Sequence, residues 1–242
     1  MMETSTIRKI SVSDLIGRPL NSVEKRWAPS ELFIAGSMKI PLEGIRIAVI
    51  GTREPSQEGL EMTRRLVVEL VKKDWVVVSG LARGIDTAAH KTALENGGRT
   101  IAVLGTPIDR YYPPENRTLQ EEIREKGLLI SQFPVGAPIQ RKNFVMRNRT
   151  MALVSHACVI TDALERSGVV SQGWETLRLA RLLFIVKRLD KLRWVSDMFR
   201  YGAILFEDIE EVLEVVEELS SPTELLEIDK DVWERLPSTP NY

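Results

Sequence analysis

From Ile45 onward, short apolar runs stopped by glycine alternate with longer stretches of helical periodicity, and no other feature restricts the fold as tightly. Ile45–Ile50 runs into Gly51, Trp75–Ser79 into Gly80, and Thr100–Leu104 into Gly105. Near-continuous apolar runs, rather than apolar–polar alternation, mark strands covered on both faces. Between the first two runs, Leu60, Met62, Leu66, Val67, Leu70 and Val71 recur at helical spacing. The same reading predicts helices over 85–96, 116–126, 144–155, 172–181 and 208–219, and strands over 128–131, 157–161, 183–186 and 203–206. Strands separated by helices imply right-handed crossovers and a parallel sheet sandwiched between helical layers. The predicted class is therefore α/β: a doubly wound, mostly parallel sheet with helices on both faces.

This pattern divides the 242 residues into an N-terminal extension over 1–44, a main domain over 45–219 and an acidic, flexible tail over 220–242. Leu32–Gly36 in the extension reads as an additional edge strand. No apolar run reaches the roughly 20 residues that span a bilayer, and Met1–Ser13 lacks the apolar core of a signal peptide, so a cytoplasmic protein without membrane contact is expected. The single cysteine, Cys158, lies in an apolar run and reads as a buried structural thiol. With two histidines, His90 and His156, no metal-ligand cluster is evident and no cofactor is expected.

The net charge of −1 conceals an asymmetry. Glu207–Tyr242 carries 12 acids and 2 bases, whereas the rest of the chain has a net charge of +9. A basic body with an acidic end suits a protein that binds anions; a solvated acidic helix on a basic domain has the same charges.

In an open parallel sheet, ligands bind outside the carboxyl ends of the strands, so the residues that follow each strand carry the chemistry. After the first strand come Gly51, Thr52 and Arg53: a sharp turn, a helix N-terminus and a guanidinium suited to a bidentate phosphate contact. This is neither a dinucleotide fingerprint nor a Walker A loop. After the second come Ser79, Gly80, Arg83 and Gly84, with Asp86 placed to cap the helix or orient Arg83, and His90 one turn further on, where it could pair with Asp86. Asn116 reads as a helix cap after a proline-fixed loop whose Tyr111 and Tyr112 could stack on bases or pack beneath the loop. Gln140–Thr150 sets Arg141, Lys142, Arg147 and Arg149 around Phe144 and Asn148 at a helix start, where positive charge opposes the dipole; a bound polyanion would explain it. Ser167 and Gly168 could cap the next helix and offer N–H groups to a phosphate. Beyond Leu177, the apolar Leu182, Trp194, Met198 and Phe199 read as exposed and available for self-association.

Taken in order, Gly51-Thr52-Arg53, the stretch Ser79–Asp86 with His90, Gly98–Gly105, Tyr112–Asn116, Arg147-Asn148-Arg149 and Glu165–Gly168 resemble the DNA-processing protein A (DprA/Smf) family over roughly residues 28–186. The resemblance implies a Rossmann-like domain that binds single-stranded DNA without catalysis, usually as a homodimer, and that assists a RecA-type recombinase in natural transformation. It would place Arg53, Arg83, Arg147 and Arg149 at the DNA backbone. Two stretches depart from the pattern: Val170–Glu175, and Lys187-Arg188-Leu189-Asp190, where the family usually ends a strand in Pro-Gly. The competing class is a nucleotide-binding sensor or a phosphoribohydrolase-like enzyme. The glycine-rich phosphate loop of such enzymes is missing from Ser167–Ser171, although Glu175 could stand in for their catalytic glutamate.

Overall fold

The computed structural model describes residues 6–220. The acidic tail expected from residue 220 lies, beyond Ser220, outside the described residues. Nine strands form one sheet in the order β1-β2-β6-β5-β4-β3-β7-β8-β9. Seven of them run parallel: β3 (Arg46–Gly51), β4 (Val76–Ser79), β5 (Thr100–Leu104), β6 (Leu128–Ser131), β7 (Ala157–Asp162), β8 (Leu182–Val186) and β9 (Ile204–Phe206). The expected extra strand is β2 (Leu32–Gly36), antiparallel to β6, and β1 (Arg8–Ile10) lies outside it as the edge. The N-terminal segment thus extends the same sheet.

The helices divide between two faces, as double winding requires. α3 (Gln57–Lys72), α4 (Ile85–Glu95) and α5 (Arg117–Lys126) follow β3, β4 and β5 and pack in sequence on one face, where α9 (Ile209–Ser220) joins α3. α6 (Arg141–Val154) returns over the opposite face from β6 to β7, and packs with α7 (Val169–Arg178), which in turn meets α8 (Arg193–Arg200). Two short N-terminal helices, α1 (Val12–Ile16) and α2 (Ser22–Trp27), complete the set, α1 against α6.

The periodicities explain these placements. β4 is buried along its whole length, as a central parallel strand must be. α3 buries Gly59, Thr63, Leu66, Val67 and Leu70 and starts where the Ser56 hydroxyl accepts the Gly59 N–H at 3.0 Å, a cap worth about 1 kcal/mol. Each fully buried aliphatic side chain of the core contributes roughly 1.5–3 kcal/mol. α8 departs from the sequence expectation: Trp194 and Met198 are buried with Val195 on its inner stripe, Leu182 is half-buried on β8, and Phe199 is the exposed one at 58%. Cys158 is buried in β7, and burial pushes its thiol up to about 12, consistent with an inert core residue.

The N-terminal segment is bound to the body by charge. Glu24, fully buried in α2, receives Arg18 at 2.6 Å and also pairs with Arg181, which precedes β8. Burial alone would raise the Glu24 carboxyl, but hydrogen bonds from Arg18 and from the Asn21 N–H, with the charge of Arg181, hold it at about 2.

Candidate nucleic-acid interface

Strand order reverses between β3 and β7, the two first neighbours from which the sheet grows in opposite directions. Their carboxyl ends are drawn together: β3 makes a register shift at Ile50/Gly51, and the Thr52 N–H donates to the Asp162 carbonyl at 2.9 Å. Gly51 is needed here, since a Cβ would strike Ile85 and the Asp162 carbonyl. Thr52 is buried, and its carbonyl accepts the Ile85 N–H that opens α4. Arg53, next along, is exposed, and among the described residues no hydrogen bond or ion pair engages its guanidinium.

The loop after β4 folds against this turn. Gly84 has φ +75°, and its α-carbon faces the Thr52 and Arg53 backbone so closely that no side chain fits. Ser79 is buried and donates to the Val49 carbonyl at 2.7 Å. Arg83 is exposed and ion-paired with Glu115. Asn116 stands at the N-cap position of α5, as expected, but makes no side-chain capping bond: its amide donates to the Leu81 carbonyl at 3.0 Å and to the Thr87 hydroxyl at 2.8 Å, tying the loop after β5 to the loop after β4. Asp86 turns inward and away from Arg83, accepting the Ala82 N–H at 3.2 Å. Burial pushes its carboxyl up, against the opposing charge of Arg147. His90 bonds the Thr100 hydroxyl at 2.8 Å rather than pairing with Asp86, and burial with the nearby Arg147 charge lowers it to about 3. It is a neutral core histidine.

α6 begins three residues earlier than the sequence suggests, so Arg141 and Lys142 occupy its first turn, both exposed. The helix lies across the strand ends through two glycines. Phe144 covers Gly105 after β5, and the guanidinium of Arg147 lies against Gly80 after β4; a Cβ at either glycine would collide with the side chain. Arg147 is buried and donates through Nη1 to the Val103 carbonyl at 2.8 Å, while its Nε has no partner. Burial lowers its pKa; the charge of Asp86 opposes that shift and the charge of Arg53 adds to it. Phe144 also meets Tyr112, which is 43% exposed, at 5.1 Å between ring centroids and 50° between planes. Tyr111 instead bonds Glu121, beneath the Arg117 guanidinium.

Arg149 belongs elsewhere. Two residues beyond Arg147, it points to another side of α6, where it holds Glu175 at 2.8 Å and stacks on Trp27 at 4.3 Å. Arg178 binds the same carboxylate at 2.7 Å. The expectation that Arg53, Arg147 and Arg149 share one pocket therefore fails for Arg149, because residues two apart on a helix point in divergent directions. Glu175, buried between two arginines, is not placed as a free general base. Asn148 is buried within α6. Ser167 and Gly168 precede α7, with the Ser167 hydroxyl accepting the Val169 N–H at 3.4 Å; Gly168 is exposed.

Sequence reasoning missed two residues of this edge, Asp162 and Arg188. The Asp162 carboxylate accepts both the N–H and the O–H of Ser56, at 2.8 and 2.9 Å, and receives Arg188 at 2.9 Å. Asp162 ends an apolar strand, where an acid reads as a loop residue, and Arg188 falls in a stretch that departs from the family pattern. Among the described residues, no group of three or more His, Cys, Asp or Glu is placed to hold a metal, and no helix is long and apolar enough to cross a membrane.

Residues 18–217 match the family model described as DNA recombination-mediator protein A. Protein Smf of Escherichia coli is 33% identical over 193 residues, which cover 77% of this chain and 50% of that protein. DNA processing protein DprA of Bacillus subtilis is 34% identical over 158 residues, 65% of this chain and 53% of the relative. The chain thus spans about half the length of these curated relatives. The crystal structure of DNA processing protein A from Streptococcus pneumoniae superposes with a TM-score of 0.74 at 32% identity, covering 88% of this chain and 75% of that one. The fold is shared as well with DNA processing protein A from Helicobacter pylori, whose structure was described for its single-stranded DNA binding mode (TM-score 0.74, 24% identity, 90% and 99% coverage). The chain belongs to the DNA recombination-mediator protein A family.

Proposed function

We propose that this member of the DNA recombination-mediator protein A family binds single-stranded DNA along the carboxyl ends of β3, β4 and β5. One observation carries the reading: the exposed guanidinium of Arg53, without a hydrogen bond or ion pair among the described residues, follows β3, while α6 lays Arg147 on Gly80 after β4 and the aromatic pair of Phe144 and Tyr112 on Gly105 after β5. Phosphates take the arginine and bases take the rings, the two elements that single-strand binding combines. Arg83 and Lys142 add exposed charge on the neighbouring loop and helix. The turns at Gly51 and Thr52, at Gly80 and Gly84, and at Ser167 and Gly168 are the remaining places of close approach for the phosphates in this reading, with the Thr52 N–H itself engaged by the Asp162 carbonyl. Asn116 contributes by holding the loops in place.

The role is binding without catalysis. Glu175 is neutralised by Arg149 and Arg178, and Cys158 is buried with its thiol raised. The working form is a homodimer in the cytoplasm that passes its strand to a RecA-type recombinase, as the resemblance implies.

Fluorescence anisotropy with a labelled oligonucleotide tests the reading. Arg53→Ala should weaken binding by about 1–3 kcal/mol, the scale of a lost charge-assisted contact. Three to five phosphate contacts would give a log–log salt slope of about −2 to −3.5. A slope near zero, or an Arg53→Ala protein that binds as the parent does, refutes it. Lys72→Ala, at the far end of α3, is the control for diffuse attraction.

A further inference from the structure

The crevice at the point where strand order reverses is where open α/β sheets ordinarily seat a phosphate, on the N-terminus of the helix that follows the first strand. In this chain that seat already holds an anion. Asp162, at the end of β7 and with its side chain only 7% exposed, directs its carboxylate at the start of α3. One oxygen accepts the Ser56 N–H at 2.8 Å and the Ser56 O–H at 2.9 Å; the other receives Nη2 of Arg188 at 2.9 Å. Gly59, one turn into α3, lacks a side chain where one would run into this carboxylate. Arg188 is fixed in turn, donating to the Thr161 carbonyl at 2.7 Å, with its Nε 3.7 Å from Glu58. A backbone N–H, a hydroxyl and a guanidinium converging on a helix start form a donor set suited to phosphate, and the tethered carboxylate satisfies all three.

We propose that Asp162 is a specificity-determining residue: its carboxylate occupies the phosphate seat between β3 and β7 and so turns away free mononucleotides. A tethered anion competes at high effective concentration, and it repels a phosphate dianion that approaches from solvent. Ligand phosphates must then be taken further along the edge, at Arg53 and the loops after β4 and β5. That arrangement favours a strand with several phosphates over a ligand with one. The oligonucleotide part of this inference rests on the function proposed above; the closed seat does not.

Isothermal titration with inorganic phosphate and with AMP, on the full chain and its variants, tests the proposal. The parent protein should show no binding at millimolar concentrations. Asp162→Ala, which leaves Ser56 and Arg188 facing an emptied seat, should bind both anions at least tenfold more tightly than the parent. Asp162→Asn keeps the seat filled and should not gain. Adding Arg188→Ala to Asp162→Ala should remove the gain. Oligonucleotide affinity should stay within about twofold in Asp162→Ala, because the lost carboxylate is not among the proposed strand contacts. A folded Asp162→Ala protein with no gain overturns the proposal, and so does a parent that binds AMP as tightly as this variant. Should Asp162→Ala fail to give a native circular dichroism spectrum, Asp162→Ser is measured in its place: a tenfold gain supports the closed seat, and no gain overturns it. If no form binds oligonucleotide, the single-strand reading fails while the phosphate measurements still decide the seat.

Discussion

Arg147→Ala removes a charge that the fold has enclosed. Its Nη1 donates to the Val103 carbonyl at 2.8 Å, and hydrogen bonds from charged donors contribute roughly 1.5–3 kcal/mol. Its positive charge also opposes the upward push that burial gives the Asp86 carboxyl. Losing that hydrogen bond leaves the Val103 carbonyl without its donor and the buried Asp86 without a compensating charge, a cost of roughly 1.5–3 kcal/mol or somewhat more. Against the 5–15 kcal/mol that holds a typical domain together, the variant stays folded at 25 °C with a Tm lower by on the order of 10 °C. The cost depends on pH. Burial already raises the Asp86 carboxyl, and without Arg147 the folded value rises further. The folded state then holds a proton that the unfolded chain releases. Variant stability is therefore greatest below the ordinary carboxylate range and falls as pH rises through the raised folded value. Urea unfolding at pH 5 and pH 8 reads both effects, and Asp86→Asn combined with Arg147→Met should recover most of the loss, since neither partner is left charged. If Arg147→Ala costs under about 1 kcal/mol and its cost does not change with pH, Arg147 and Asp86 are not a buried charged pair.

Three further outcomes follow from the structure. Glu24→Gln leaves Arg181 facing a neutral partner and should cost roughly 3 kcal/mol near neutral pH; because Glu24 sits at about 2 in the folded state against an ordinary 4.5, urea titrations should show the parent's advantage intact above about pH 4.5 and vanishing as pH falls toward 2. Arg149→Ala, which frees Glu175 on one side and uncovers Trp27, should lower stability by about 1–3 kcal/mol and leave oligonucleotide affinity unchanged; an anisotropy loss matching that of Arg53→Ala would return Arg149 to the binding site. Light scattering at micromolar concentration should report a dimer, and Phe199→Asp, at the exposed ring of α8, should convert it to monomer; a parent protein that is monomeric at high concentration refutes the self-association reading.

The sequence was most legible where one physical signal dominated. Val76-Val77-Val78 has no place other than a buried strand, and Thr100–Leu104 and Leu128–Ser131 are strands with the expected bounds. Glycines after β3, β4 and β5 located the candidate edge. What stayed hidden was direction and partnership. Arg147 and Arg149 look alike in a basic stretch, but only the roughly 100° turn per helical residue, set against a sheet whose orientation sequence does not supply, sends one onto Gly80 and the other onto Trp27. Asn116 reads as a cap because Asn is a good one, yet its amide is used across 35 residues on the Leu81 carbonyl. Asp162 and Arg188 were invisible for the same reason: their meaning lies in a partner that the chain brings from far away. α8 reads as exposed when its apolar residues are counted without a phase; its stripe of Trp194, Val195 and Met198 turns inward.

The ties that hold the N-terminal segment have a consequence for how the protein is made. Glu24 meets Arg181, 157 residues later, and β2 pairs with β6, which begins at Leu128. During synthesis this segment precedes its partners: β2 has only β1 beside it until β6 is out, and the buried Glu24 carboxylate has no inner cation until β8 is about to be made. The central strand β3 likewise lacks β7 on one side until residue 157. Ribosome-bound chains halted before residue 157 should therefore leave the α2 region open to limited proteolysis, and chains extended past β8 should protect it. The cleft between β3 and β7 forms with that late step, so the proposed binding edge is incomplete until β7 has been made.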